Sequence, residues 1–68
     1  MITGYKLAKL LNSKLSELGF DPVPAQMIYN YMSKNYIKCE LVDGQKLISE
    51  HEAEQFMSKY IARRVARS

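Results

Sequence analysis

No aspartate or glutamate occurs between Pro22 and Cys39. Residues 1–16 and 55–68 are also free of carboxylates, but the predicted first and third helices each include at least one, whereas the predicted second helix includes none. A surface without negative charge suits contact with a polyanion, so this gap is the first functional signal. Other absences exclude whole classes of chemistry. The chain has one cysteine, Cys39, and one histidine, His51. A lone thiol forbids an internal disulfide framework, and the two residues fall short of a structural zinc set. A reducing, intracellular setting fits this usage. Cys39 reads as a small buried or half-buried residue and His51 as a solvated helix residue. There is no glycine-rich phosphate loop and no nucleophile paired with His51 in a known pattern. An enzyme is not expected, nor is a metal or a cofactor. No apolar run approaches the ~20 residues of a membrane span, and the first six residues lack the apolar segment of a signal peptide. These features predict a cytoplasmic protein with no membrane partner.

What is present describes one small folded domain. The 68 residues sit near the lower limit for a self-sufficient core, and an apolar fraction of 47% argues against disorder. The net charge of +3 is mild, and its distribution is more informative than its size. Glu50, Glu52 and Glu54 precede an acid-free basic end holding Lys59, Arg63, Arg64 and Arg67. Residues from about 62 to 68 read as a basic tail of that single domain.

Local signals give the element order. Thr3 is placed to cap a first helix, on which Leu7, Leu10, Leu11, Leu15 and Leu18 recur at helical spacing. Gly19 supplies the stop. Lys14 projects into the leucine arc. Either its stem lies along apolar surface, or the helix breaks near Asn12 and Ser13. Phe20 to Pro24 reads as a turn that contains both prolines. A second helix is predicted from about Pro24 to Lys34, with Pro24 at its first position and Asn35 as a left-handed terminator. Ile28, Tyr31 and Met32 share one side of it, and Gln26, Tyr29, Asn30, Ser33 and Lys34 the other. Residues 36–42 have strand character, Asp43-Gly44 is a hairpin signal, and residues 45–48 return. Ser49 and Glu52 form a capping box for a third helix with Ala53, Phe56, Met57, Tyr60 and Ile61 as its apolar stripe. Arg64 continues the stripe in projection, so burial is expected to end near Ile61. The predicted fold is mainly α with a small β-hairpin: helix, helix, two strands, helix.

That order, carried by Ala8-Lys-Leu-Leu11, the segment from Val23 to Ile37, the ribbon from Leu41 to Ile48 and the capped start Ser49-Glu-His-Glu52, resembles the winged helix-turn-helix of the MerR and phage-excisionase superfamily. The resemblance covers about residues 5 to 58. Ser13 to Pro22 departs from it as an insertion of roughly ten residues. The resemblance implies a recognition helix on which Ile28 and Tyr31 are core. Pro24, Ala25, Gln26, Tyr29, Asn30, Ser33 and Lys34 then face double-stranded DNA, with Gln45 and Lys46 at the wing tip. It implies an excisionase-like architectural factor of a phage or mobile element, acting with an integrase or with neighbouring copies of itself. A MerR-like transcriptional regulator and the DNA-binding part of a phage packaging subunit are the alternatives within the family, and the nucleoid is the implied location.

The residues themselves agree with a DNA-facing surface. Gln26 and Asn30 are four apart, and their amides donate and accept at once, as adenine reading requires. Lys34 and Lys38 supply phosphate or guanine contacts, and Tyr29 and Ser33 donate to phosphate oxygens. Arg63, Arg64 and Arg67 read as DNA-backbone or partner contacts, or as an ordinary solvated helix tip. Tyr31 and Tyr60 are expected in the core, which leaves Tyr5, Tyr29 and Tyr36 as too few for a single-strand stacking platform. A different class of function is a protein-interaction module whose acid-free helix docks on an acidic partner.

Overall fold

The computed structural model describes residues 1–67. The element order is α1 (Gly4–Glu17), α2 (Ala25–Ser33), β1 (Glu40–Val42), β2 (Gln45–Leu47) and α3 (Glu50–Arg67). The fold is thus mainly helical with a small antiparallel hairpin, in the predicted sequence of elements.

Helix α1 begins at Thr3, whose hydroxyl accepts from the Lys6 N–H at 3.1 Å. It runs unbroken through Asn12 and Ser13, so of the two readings of Lys14 the break is excluded. Lys14 stays exposed at its C-terminal end, beside Met57 and Ile61 of α3. Gly19 at φ +82° ends the helix. The Gly19 N–H donates to the Ser16 carbonyl and the Phe20 N–H to the Leu15 carbonyl, the paired closure of a Schellman motif. The insertion from Ser13 to Pro22 is therefore mostly an extension of α1 and its cap.

The core runs between the three helices. Leu7, Leu11, Leu15, Ile28 and Ile48 are fully buried, each contributing about 1.5–3 kcal/mol by leaving water. Ala8, Met32, Ile37, Ala53 and Met57 complete it. The leucine arc is narrower than its periodicity predicts, because Leu10 and Leu18 are exposed and Gly4 and Ala8 take the adjoining positions. Gly4 permits this. A Cβ there would stand 2.8 Å from Met32 Sδ and 2.9 Å from Tyr29 Cε1, so its absence lets α1 meet α2 closely.

Helix α2 starts one residue later than predicted. Pro24 is its N-cap in extended conformation rather than its first helical residue, and Lys34 is its C-cap. Asn35 at φ +62° ends it with a second Schellman closure, Asn35 N–H to the Met32 carbonyl and Tyr36 N–H to the Tyr31 carbonyl. That closure explains why strand structure does not begin at Tyr36. The Tyr36 N–H is committed to the helix, and Ile37 is drawn into the core. The ladder starts only at Glu40 and pairs Glu40 with Leu47, Leu41 with Lys46 and Val42 with Gln45. Asp43 and Gly44, both at positive φ, make the type I′ turn. Ile48 then exchanges both backbone hydrogen bonds with Ile2 at 2.8 Å, which ties the N-terminus to the ribbon. Ser49 caps α3 by accepting from the Glu52 N–H.

Candidate nucleic-acid interface

Two elements and one clamp present the polar surface. Helix α2 buries Ile28 and Met32, and this rolls Gln26, Tyr29, Asn30 and Ser33 outward. All four are exposed, as are Pro24, Lys34 and Lys38. Ala25 is half-buried and packs against the core. The entrance to α2 is held from α1, because the Asn12 amide accepts from the Val23 N–H at 2.8 Å and donates to the Val23 carbonyl at 2.9 Å. This bond pair sets the inter-helix turn that the long connection left undefined in the sequence.

Gln26 Nε2 donates to Asn30 Oδ1 at 3.1 Å on the exposed face. The bond orders two flexible amides into one plane of chemistry. Gln26 keeps its carbonyl oxygen as an acceptor, and Asn30 keeps its amide as a donor. The first turn of α2 holds no acidic residue, so nothing on the helix opposes an anion at its N-terminal end.

The hairpin comes to the same side. An open groove of about 320 Å³ is lined by Thr3, Tyr29, Met32, Ser33, Gln45 and Lys46. It brings the ribbon residues Gln45 and Lys46 beside Tyr29 and Ser33 of α2. The structure thus places Tyr29 and Ser33 of α2 beside Gln45 and Lys46 of β2, twelve or more residues further along the chain. Tyr29 is less free than its sequence position suggests, because its ring edge stands over Gly4.

The basic end does not act as one unit. Arg64 stacks its guanidinium over the Phe20 ring, 5.2 Å from the centroid, and is half-buried. Its place is the α3 side of the turn before α2. Arg63 lines a different groove with Tyr60, and Arg67 is exposed at the helix end. Tyr31 and Tyr60, expected in the core, are half-buried and line that second groove, while Tyr5 lies under the Lys9 ammonium at 5.0 Å.

Cys39 is half-buried, and its Sγ donates to the Ile37 carbonyl at 3.2 Å. Burial pushes its thiol above the ordinary range, and the Lys46 charge partly offsets this. Among the described residues, no three His, Cys, Asp or Glu side chains gather in a metal-binding group. No helix of the described residues is long and apolar enough to cross a membrane. The chain matches no protein-family model, no curated protein and no solved structure at a significant level.

Proposed function

We propose that this protein is a winged helix-turn-helix module that binds double-stranded DNA, with α2 in the major groove and the ribbon on the flanking backbone. The observation that carries the reading is one composite surface. The ordered Gln26–Asn30 pair, the hydroxyls of Tyr29 and Ser33, and Gln45 and Lys46 of the ribbon share one side, and α2 contributes no carboxylate to it. A helix of this width fits the major groove, and a bidentate amide there distinguishes adenine by its N6 and N7. Lys34 and Lys38 follow at the helix end, where they neutralise phosphates and fix register.

A module of this size makes few contacts, so useful affinity comes from several copies on adjacent sites or from a partner bound beside it. That is the economy of an excisionase-like architectural factor working with an integrase, and this is the finer role we assign. A transcriptional regulator of the MerR type would use the same face. The test is a salt titration of the purified chain on a mixed-sequence duplex, followed by fluorescence anisotropy. About five phosphate contacts give a log–log slope near −4 to −5. Use of the same helix as a docking site for an acidic protein predicts no DNA complex at moderate salt.

A further inference from the structure

The largest aromatic cluster of the molecule lies away from the surface described above. Tyr31 meets Tyr36 edge-on at 5.9 Å and Phe56 at 5.7 Å, and Phe56 meets Tyr60 at 5.9 Å. These rings line an open groove of about 530 Å³ between the end of α2 and the side of α3. It shares no lining residue with the groove between α2 and the ribbon. Tyr36 is 70% exposed although its ring meets that of Tyr31. Aromatic side chains gathered at a partly open concavity are the usual anchors of protein recognition, since they contribute large contact area at small entropic cost.

Charge along the groove is graded. Glu52 stands at one end, and Lys59 and Arg63 line the other. On a helix the eleven steps from Glu52 to Arg63 span about 16 Å, the reach of about five extended residues. Among the described residues, no carboxylate forms an ion pair with Lys59 or Arg63 at the groove. We propose that this groove docks a short peptide segment of a partner protein, with an aromatic or aliphatic anchor on Tyr31, Tyr36 and Phe56 and acidic residues over Lys59 and Arg63. The occupant follows from the charge. A single-stranded nucleic acid would carry negative charge along its whole length and meet Glu52. Its bases would also find rings set at 60°, 64° and 31° to one another, not a row of parallel faces. A peptide places its acids at one end only.

The experiment is a selection of the full chain against a phage-displayed random peptide library, with synthetic copies of the enriched peptides titrated into the ¹⁵N-labelled protein. The expected peptides carry one large apolar residue followed within five positions by Asp or Glu. Their amide shifts fall on Tyr36, Phe56, Tyr60 and Arg63, and not on Gln26 or Asn30. Lys59→Glu with Arg63→Glu weakens binding at least tenfold, and so does Tyr36→Ala, an exposed position whose change spares the core. Duplex DNA shifts on α2 stay the same in Tyr36→Ala, which separates this proposal from the DNA reading. No enriched peptide, enriched peptides without acids, shifts confined to α2, or groove shifts caused by oligothymidylate and not by peptide would each overturn it.

Discussion

The side-chain amide of Asn12 grips the backbone of Val23 at both its N–H and its carbonyl, across eleven residues of chain. This contact fixes where α2 leaves the turn. With Gly4 under Tyr29, it sets the angle at which the outward face of α2 is offered. Position 12 is therefore a positioning residue for a surface it does not touch.

Asn12→Ala leaves two half-buried backbone groups without their partner and is expected to cost about 1–3 kcal/mol, read from the denaturant midpoint. Asn12→Asp keeps the acceptor for the Val23 N–H and loses the donor to the Val23 carbonyl. Its deficit is expected at neutral pH and shrinks as acid restores an O–H donor. A midpoint unchanged in both variants would mean that the clamp contributes nothing.

Gly4→Ala inserts a methyl group against Met32 Sδ and the Tyr29 ring. Both obstacles are ends of side chains, and alanine favours the helix over glycine by about 1 kcal/mol, so stability changes little. The Tyr29 ring must swing. Expected is a displaced Tyr29 ring resonance in NMR with a thermal midpoint within a few degrees of the parent. An unmoved ring would contradict the close approach.

Gly44 holds φ +80° at the second turn position. An L side chain there is strained, and Gly44→Ala is expected to cost about 1–2 kcal/mol. The ribbon loosens with it, so faster amide exchange at Gln45 and Leu47 is the readout.

The Cys39 thiol keeps its proton to higher pH in the folded chain than in the unfolded one. Iodoacetamide is accordingly expected to alkylate the native protein more slowly than the denatured protein at pH 8. The linked stability is fully present below the unfolded thiol's pKa and declines as pH rises through the folded one. Lys46→Gln removes the charge that lowers the thiol and raises its titration further. Equal alkylation rates for native and denatured chains would contradict this.

The sequence discloses best what is settled within a few residues. Thr3, Gly19, Asn35, Asp43-Gly44 and Ser49 each act through bonds or backbone angles of their own neighbourhood, and each stands where its chemistry predicts. The outward side of α2 follows from the spacing of Ile28 and Met32. Contacts between distant segments leave no such trace. The Asn12–Val23 clamp and the Ile2–Ile48 bridge join residues whose types are ordinary, and only folding brings them together. Tyr31 and Tyr60 lie on apolar stripes, but a stripe does not say which of its edges the neighbouring helix covers. In this fold both rings stand at an open groove between α2 and α3. Residues 36–39 read as strand from composition, yet the Schellman closure at Tyr36 takes the backbone group that pairing would need.

The central claim, that the outward face of α2 and the ribbon bind duplex DNA together, is tested most directly by NMR. The ¹⁵N-labelled chain is titrated with a mixed-sequence 20-base-pair duplex at low salt, and the amide and side-chain shifts are mapped. Perturbations are expected to concentrate on Gln26, Tyr29, Asn30, Ser33 and Lys34 and on Gln45 and Lys46, including the side-chain amides of Gln26 and Asn30. Absence of shifts, or shifts confined to α3 with these residues silent, would contradict it.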